Sequence, residues 1–340
     1  MMIPIRINEV PIKFIILSLG FLLMIQNHSV AQEKKHSVYH FMTTSDNQQI
    51  RYGIWYSHSE KKRGSVILLN GRKEFMEKYA ETIRELNHRG FNVYSLDWRG
   101  QGLSSRMLAN RHKGFIKNYK NYLNDLNLFI SKIVKPEAAT PLIILSHSMG
   151  GHIALRFMHE HPELVDKAVL VSPMIDILTS PLPRWLVRLV AWGAIKADLD
   201  HAYIIGSGDY TAEKFKDNRL TSDPKRFMDE HKAIVGNPGL ALGGPTYGWL
   251  SATFESIDIL TEPDFAKKIT TPILIASAGR DRVVSNKAQK TICSLLPNCR
   301  FTEITGARHE ILKETDAVRS IFWDEFDRFT RPVVILSIKM

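Results

Sequence analysis

Several features that would settle the class of this 340-residue chain are missing from it. Its most apolar run, residues 14–25, has twelve residues, and about 20 are needed to span a bilayer. No cysteine follows that run, which argues against a bacterial lipoprotein anchor. Internal repeats and low-complexity tracts are absent too. The sequence therefore predicts an ordinary globular protein, large enough for one α/β domain with an insertion or for two domains.

Cysteine is also scarce, since Cys293 and Cys299 are the only two in the sequence. In an oxidising compartment a disulfide closing this short loop is feasible. The alternative is a pair of partly buried free thiols. The separation of the Cα atoms decides between them, and the sequence leaves both open.

The formal net charge is +10 at pH 7, but the basic residues are scattered. There is no arginine-rich run and no basic motif interleaved with aromatic residues. This excludes nucleic acid as the expected partner. An excess of positive charge instead favours peripheral contact with an anionic membrane surface.

The amino terminus has the features of a secretory signal peptide. Arg6 and Lys13 precede the apolar run 14–25, and Ser29 and Ala31 are small residues at the −3 and −1 positions before Gln32. We therefore expect residues 1–31 to be removed and the protein to be exported to the periplasm or cell envelope. The alternative is that the segment stays uncleaved as an N-terminal membrane anchor.

From about Val38 onward, apolar strands alternate with helical stretches, a pattern that predicts a mostly parallel sheet with helices on both faces. The alternation stops between residues 175 and 262, a length that excludes a plain loop. We predict a helical cap inserted at 175–262, between core segments 32–174 and 263–330, with a tail at 331–340.

Ser148 is the candidate nucleophile. An apolar strand, Leu142–Leu145, leads into a tight turn around Ser148, and a helical stretch follows. Strand, turn with a central serine, and helix form the nucleophile elbow of an α/β-hydrolase. Small residues are needed at 146 and 150, where Ser146 replaces the more usual glycine.

The α/β-hydrolase fold supplies its catalytic residues in the order serine, acid, histidine, each on a loop after a strand. Asp281 and His309 stand at the ends of two later predicted strands. We therefore predict a triad of Ser148, Asp281 and His309. The oxyanion is expected to bind the backbone N–H groups of Met149 and Arg72.

For the residues that we propose as substrate contacts, a purely structural explanation competes with the functional one. The side chain of Arg72 either binds an anionic headgroup or is a solvent-exposed arginine. We name Trp185, Trp192, Tyr247 and Trp249 as further candidates for substrate contact, although a place in the cap core explains each of the first two more readily than substrate contact does. No pattern of zinc-enzyme type occurs, so we predict no metal and no cofactor.

Two histidine features receive no functional assignment. His147 is expected to pack within the elbow. His159 and His161 flank Glu160, but no third metal ligand is evident near them.

Six segments together resemble the bacterial lysophospholipase and monoacylglycerol lipase branch of the α/β-hydrolases. They are NGRKE at 70–74, DWRGQGLS at 97–104, SHSMGG at 146–151, NRLTSD at 218–223, GGPTYGW at 243–249 and GARHEIL at 306–312. The resemblance covers roughly residues 38–329. It implies hydrolysis of the single acyl ester of a lysophospholipid or of a monoacylglycerol.

Three other functions remain open at this point. A general carboxylesterase or an aminopeptidase could use the same triad, because fold does not decide substrate. A non-catalytic protein that binds lipid at the envelope is the third, and an intact triad argues against it.

Overall fold

The computed structural model of the protein describes residues 37–331. Its contacts divide the chain into two units, Met1–Val38 and Tyr39–Met340, and the site lies wholly in the second. The predicted signal peptide, residues 1–31, lies outside the described residues, as does the predicted tail beyond residue 331.

A central sheet organises the second unit. In the described part of the chain it has eight strands: β1 Ser37–Thr43, β2 Gln49–Trp55, β3 Gly64–Leu69, β4 Phe91–Leu96, β5 Leu142–His147, β6 Lys167–Val171, β7 Ile273–Ala278 and β8 Cys299–Ile304. Their spatial order is β1-β2-β4-β3-β5-β6-β7-β8. β2 pairs antiparallel to β4, and every pair from β4 to β8 is parallel. The predicted, mostly parallel sheet is confirmed.

The order of the strands places a ligand site at the end of β3. The chain passes from β3 to its neighbour β4, and then crosses to β5 on the other side of β3. Crevices at the carboxyl ends of strands open where the winding reverses in this way. The loop after β3 carries Arg72, and the loop after β5 carries Ser148.

Nine α-helices accompany the sheet within residues 37–331: α1 Ala80–His88, α2 Lys120–Phe129, α3 Met149–Glu160, α4 Arg184–Lys196, α5 Pro224–Gly236, α6 Tyr247–Thr261, α7 Pro263–Ala266, α8 Asn286–Leu295 and α9 Asp316–Thr330. A 3₁₀ turn, Met76–Tyr79, precedes α1. A π-helical turn, Ile130–Val134, follows α2.

Two cores, one on each face of the sheet, hold these layers together. β3 is buried along its whole length, as expected of a parallel strand covered on both faces. Its Ile67 and Leu69 belong to a core with α2, α3 and α8. Its Val66 and Leu68 belong to a second core with α1 and α9. Successive side chains of a strand point to opposite faces, so one apolar run supplies both cores.

Between β6 and β7 the chain forms helices α4, α5 and α6, and residues 175–262, all described, contribute no strand to the sheet. The carboxylate of Asp223 caps α5 by accepting two backbone N–H bonds, and Pro224 opens that helix. α4 packs on α6 through Ala191, Ala194 and Phe254. The helical character of the segment agrees with the prediction, and its division from the core at 174/175 and 262/263 stays a prediction.

Cys293 and Cys299 form a disulfide, with their Cα atoms 5.4 Å apart. The bond connects the end of α8 to the start of β8. Within residues 37–331 no helix combines the length and the hydropathy that crossing a bilayer requires.

Candidate active site

The turn between β5 and α3 holds Ser148 in an unusual backbone conformation. Its φ is 51° and its ψ is −115°, a region that non-glycine residues rarely occupy. The turn is fixed by a hydrogen bond from the amide of Ser148 to the carbonyl of Val171, 3.0 Å long. A Cβ at Gly150 would lie 2.6 Å from the carbonyl oxygens of Leu69 and Asn70. Glycine is therefore required at 150, where the sequence analysis expects a small residue.

Ser148, His309 and Asp281 form a hydrogen-bonded chain. Nε2 of His309 lies 3.0 Å from Oγ of Ser148. Nδ1 of the same ring lies 2.7 Å from Oδ2 of Asp281. The other carboxylate oxygen accepts the amides of Val283 and Val284. An imidazole held in this way is able to take the proton of the serine hydroxyl.

The pKa of Asp281 suits this position. Burial disfavours the ionised carboxylate, but His309 and the amides of Val283 and Val284 outweigh burial and lower the pKa of Asp281 below its ordinary value. The carboxylate is therefore ionised at neutral pH, and it orients the ring of His309 and favours its protonation during proton transfer.

Met149 supplies one candidate oxyanion donor. It is the first residue of α3, directly after Ser148. The first amides of a helix have no partner within the helix, and the helix dipole adds partial positive charge there. The backbone N–H of Met149 is thus suited to an oxygen that becomes negative during a reaction.

The loop after β3 supplies the second candidate donor by leaving one amide unused. The amide of Gly71 donates to the carboxylate of Glu74. The amide of Lys73 donates to Oε1 of Gln101 at 3.0 Å. Between them, the amide of Arg72 donates to no acceptor in the described part of the chain. The two side chains therefore fix the loop while keeping the N–H of Arg72 available.

A buried ion cluster lies beside the triad, centred on Lys78. The Lys78 ammonium lies 3.0 Å from Glu74, 2.7 Å from Glu230 and 2.6 Å from Glu310. Burial opposes its charge, but the three carboxylates raise the pKa of Lys78 well above its ordinary value. Glu74 lies on the loop after β3, Glu230 lies on α5, and Glu310 directly follows His309.

Glu74 extends this cluster to the histidines. Its carboxylate accepts the hydroxyl of Tyr79 at 2.6 Å and lies 3.1 Å from Nδ1 of His147. Burial would raise the pKa of Glu74, yet Lys78 and His147 hold it well below its ordinary value. Nε2 of His147 lies 3.2 Å from the carbonyl oxygen of His309. His147 therefore connects the acidic cluster to the backbone of the candidate base.

The side chain of Arg72 is half-buried in the cavity wall rather than freely exposed to solvent. It donates to the carbonyl of Gly243 at 2.9 Å and lies 5.1 Å from the ring centre of Trp249. Burial lowers the pKa of Arg72 to about 10. Its Nε is buried without a hydrogen-bond partner among residues 37–331. The alternative of a solvent-exposed arginine is thereby corrected.

A cavity of about 310 Å³ opens onto the triad, a volume within the range of small-molecule sites. Ser148, His309, Arg72 and Trp249 all line it. Its other lining residues are Lys73, Glu74, Lys78, His147, Met174, Ile177, Tyr210, Thr211, Glu213, Leu220, Phe227, Glu230, His231, Val283, Val284 and Glu310.

Three predicted substrate contacts do not reach this cavity. Tyr247 is buried in the contact between α4 and α6. Trp185 and Trp192 are 66% and 59% exposed, on α4. None of the three lines the cavity, and their contact with substrate stays a prediction. The cap-core explanation of the two tryptophans is wrong, because both are largely in solvent.

The sequence interpretation missed the roles of Glu74, Lys78, His147 and Glu310. His147 was expected only to pack within the elbow. The spacing of Glu74 and Lys78, four residues apart, is typical of an ion pair along a helical turn, and it was the one available signal. Nothing local to the sequence indicates that Glu230, some 150 residues later, completes the cluster.

Comparison with known proteins places this geometry in a family. Residues 60–316 match the family model Hydrolase_4, described as serine aminopeptidase, S33. Lysophospholipase L2 of Escherichia coli K12 is 34% identical over 279 residues, which are 78% of this chain and 81% of that protein. Probable lysophospholipase L2 of Haemophilus influenzae is 31% identical over 284 residues, 82% of this chain and 87% of that protein.

Among solved structures, a soluble variant of monoglyceride lipase from Saccharomyces cerevisiae, in complex with a substrate analog, matches with a TM-score of 0.69. The match covers 87% of this chain and 95% of that one, at 20% identity. This likeness shows that the two chains share a fold.

Proposed function

The chain belongs to the Hydrolase_4 family of α/β-hydrolases, and from this premise we propose that it is a serine hydrolase of single-acyl lipids, namely lysophospholipids or monoacylglycerols. The observation that carries the proposal is the hydrogen-bonded chain of Ser148, His309 and Asp281 at the floor of the cavity. The relatives named lysophospholipase L2, which align with most of the chain, support the lipid substrate.

In the first half of the reaction Ser148 attacks the ester carbonyl while His309 takes the proton of the hydroxyl. The carbonyl oxygen becomes an oxyanion, which the amides of Arg72 and Met149 bind. Collapse of this intermediate breaks the bond to the alcohol, and His309 gives its proton to the leaving glycerol oxygen. The fatty acyl group stays on Ser148 as an ester.

In the second half a water molecule takes the place of the alcohol. His309 accepts a proton from that water as it attacks the acyl carbonyl, and the same two amides bind the new oxyanion. When the intermediate collapses, the proton returns to Oγ of Ser148 and the fatty acid leaves. Asp281 stays ionised throughout and holds the imidazole in the orientation that both halves need.

The charges in the cavity favour an ester over a peptide with a free amino terminus. A peptidase that recognises such a terminus needs an uncommitted carboxylate for its ammonium group. Glu74, Glu230 and Glu310 are instead bound to Lys78. Glu213 lies 3.9 Å from Lys73. This supports the lipase interpretation over the aminopeptidase one.

The deciding experiment measures fatty-acid release from lysophosphatidylcholine, from a monoacylglycerol of the same chain length and from a short p-nitrophenyl ester. An amino-acid p-nitroanilide is added as the peptidase substrate. Ser148→Ala is compared with the unaltered protein, and we expect it to lower kcat by roughly 10⁵-fold or more.

Each outcome selects a function. Lipid hydrolysis that is lost in Ser148→Ala supports the proposal, and the ratio of the two lipids gives the headgroup preference. Hydrolysis of the short ester alone makes the protein a general carboxylesterase. Cleavage of the anilide alone makes it an aminopeptidase. No turnover and no labelling of Ser148 by a fluorophosphonate would identify a non-catalytic lipid-binding protein.

We further propose that Arg72 contacts the headgroup of the substrate through its enclosed guanidinium. Its unpartnered Nε inside the cavity wall supports this. Because the backbone of Arg72 binds the oxyanion, Arg72→Ala retains that donor while removing the cation. If Arg72→Ala keeps the same preference for charged over neutral lipids as the unaltered protein, the proposal is wrong.

Peripheral contact with a membrane is the third part of the proposal. Large apolar side chains are exposed on and around α4, and we call them the apolar cap face: Leu178, Leu182, Trp185, Leu189, Trp192 and Leu199. A surface of this kind on a protein whose formal charge is +10 suits a bilayer with anionic lipids.

Export to the periplasm or cell envelope is the last part. The basic, apolar and small-residue pattern of residues 1–31 supports it. The disulfide does too, because such bonds persist in oxidising compartments. Sequencing the amino terminus of protein from fractionated cells tests it. A terminus near Gln32 is expected, and an intact terminus in the membrane fraction would identify an anchor instead.

A further inference from the structure

A second cavity, of about 260 Å³, is lined mainly by cations. Its lining residues are Lys216, Asp217, Asn218, Arg219, Arg280, Arg282 and Arg308. Five of these seven residues are basic and one is acidic. We call Arg219, Arg280, Arg282 and Arg308 the arginine cluster.

The arginine cluster is assembled from three segments that the fold brings together. Arg280 and Arg282 flank Asp281, and Arg308 directly precedes His309. Arg219 comes from the segment between α4 and α5. The loops that carry the proposed acid and base therefore also carry three of the four guanidinium groups.

Part of this arrangement is held in place by the backbone. Nη1 of Arg308 donates to the carbonyl oxygens of Thr221, at 3.0 Å, and Asn218, at 3.3 Å. The amide of Arg280 donates to the carbonyl of Ala307 at 2.8 Å. These bonds tie the three segments to one another and hold the side chain of Arg308, whereas the side chains of Arg219, Arg280 and Arg282 are exposed to solvent.

In the described part of the chain none of these cations is paired with a carboxylate, although Asp217 lines the same cavity. Within the described residues, none of the five cations lies within 4.0 Å of a carboxylate oxygen. Elsewhere in the protein arginines are paired, as Arg99 is with Asp125 and Arg226 with Glu81. Like charges that share a small cavity repel one another, and a bound anion relieves that repulsion.

A groove lies between the cationic cavity and the catalytic one and shares lining residues with both. The groove shares Thr211, Glu213, Leu220 and Val283 with the catalytic cavity. It shares Lys216, Asp217 and Arg219 with the cationic cavity. A lipid whose ester lies at Ser148 therefore has a path along which its polar end points toward the arginine cluster.

We infer that the arginine cluster binds the phosphate group of a phospholipid. Guanidinium groups bind phosphate oxygens through paired N–H donors, and several arginines converging on one small cavity match a tetrahedral anion. The inference rests on the proposed lipid hydrolysis and makes it more specific, because a neutral monoacylglycerol has no group for this site. The phosphate belongs either to the substrate itself or to a neighbouring lipid of the membrane.

The test compares two variants that lose the same charge. Arg219→Gln, Arg280→Gln and Arg282→Gln are combined in one protein. The control removes three exposed cations that line none of these cavities, through Lys61→Gln, Lys135→Gln and Lys290→Gln. Thermal melts establish that both proteins fold.

Two measurements distinguish the sources of phosphate. The first is kcat/KM for a short-chain lysophospholipid and for a monoacylglycerol, both below micelle-forming concentration. The second is binding to phosphatidylglycerol vesicles, made with Ser148→Ala as background so that lipid is not consumed. A phosphate bound by several arginines is worth about tenfold or more in affinity.

If the substrate carries the phosphate, the ratio of lysophospholipid to monoacylglycerol kcat/KM falls about tenfold in the arginine variant. Inorganic phosphate then competes with the lysophospholipid. If a membrane lipid carries it, that ratio holds and vesicle binding falls instead. Equal behaviour of the arginine and lysine variants in both measurements overturns the inference. Because the vesicle measurement needs no turnover, it still tests the cluster if the proposed hydrolysis fails.

Discussion

Nζ of Lys78 lies 2.7 Å from Oε2 of Glu230, and this buried ion pair joins the core to helix α5. The same ammonium binds Glu74, two residues after the candidate oxyanion donor Arg72, and Glu310, next to the candidate base. One cation thus ties together three segments that must keep fixed relative positions for acyl transfer. If α5 were displaced, Lys78 would lose Glu230, one of the three carboxylates that compensate its charge.

The first prediction contrasts the two ends of this pair. Lys78→Met leaves Glu74 and Glu310 buried without a counter-charge, so we expect the free energy of unfolding to fall by about 3–5 kcal/mol. Glu230→Gln keeps the cation and two carboxylates, and an amide oxygen still accepts a hydrogen bond. We expect it to cost about 1–2 kcal/mol. Urea unfolding at pH 7 measures both.

Lys61→Met, at an exposed position, is the control and should change stability little. A Lys78→Met protein that is as stable as Glu230→Gln would show that the cluster is solvated. kcat on the short ester is measured alongside, because loss of Lys78 also loosens the two loops beside Ser148.

The second prediction concerns the apolar cap face. Replacing Trp185 and Trp192 by serine removes two rings that we expect to enter the interface of a bilayer. Since burying each large apolar side chain is worth about 1.5–3 kcal/mol, vesicle binding should weaken by at least tenfold. Phe41→Ser, at a residue 56% exposed on β1, is the matched control. Equal binding of the two proteins would place the membrane contact elsewhere.

The third prediction is a pH dependence of stability that arises at Asp97. Burial raises the pKa of Asp97 to about 6 from its ordinary 3.8, although Arg51 and the amides of Leu103 and Met76 favour ionisation. Between these two values the folded protein binds more protons at this site than the unfolded chain does. The contribution of Asp97 therefore destabilises the protein increasingly as the pH rises from about 4 to about 6.

Asp97→Asn removes this titration. Over that window the free energy of unfolding of the unaltered protein should fall relative to Asp97→Asn by about 3 kcal/mol, the equivalent of the pKa difference. Urea unfolding at several pH values measures the difference. A gap between the two proteins that stays constant with pH contradicts the prediction.

The fourth prediction concerns the disulfide. Replacing Cys293 and Cys299 by serine frees a short loop in the unfolded chain, which should lower the free energy of unfolding by about 2 kcal/mol. Reduction of the unaltered protein should have a similar effect, and should have none on the double variant. A double variant of unchanged stability would show that the bond adds nothing to folding.

The fold could be predicted because its signals are local. The strands around Val66 and Ile144 are continuous apolar runs, and the turn at Ser148 requires small neighbours that the sequence contains. The order of Ser148, Asp281 and His309 along the chain is enough to expect them on adjacent loops. Patterns of this kind need no knowledge of side-chain packing.

What the sequence did not predict depends on which elements face each other. Trp185 and Trp192 lie in a segment as apolar as a core helix. Only the way α4 packs on α6 decides that the two side chains are exposed. The cluster around Lys78 has the same origin, because Glu230 and Glu310 reach it from segments far apart in the chain. The disulfide could not be predicted either, because it depends on the distance between the Cα atoms of Cys293 and Cys299, which the sequence does not give.

The order of the three triad residues has a consequence for the life of the polypeptide before it is folded. Ser148 follows β5, whereas His309 comes only after β8, the last strand among the described residues. A nascent chain therefore displays the candidate nucleophile long before the candidate base has been synthesised, and an extended chain never holds the two together. A polypeptide that has not yet folded is therefore inert toward the lipids around it. The proposed cleavage of acyl esters begins only once β8 has joined the sheet.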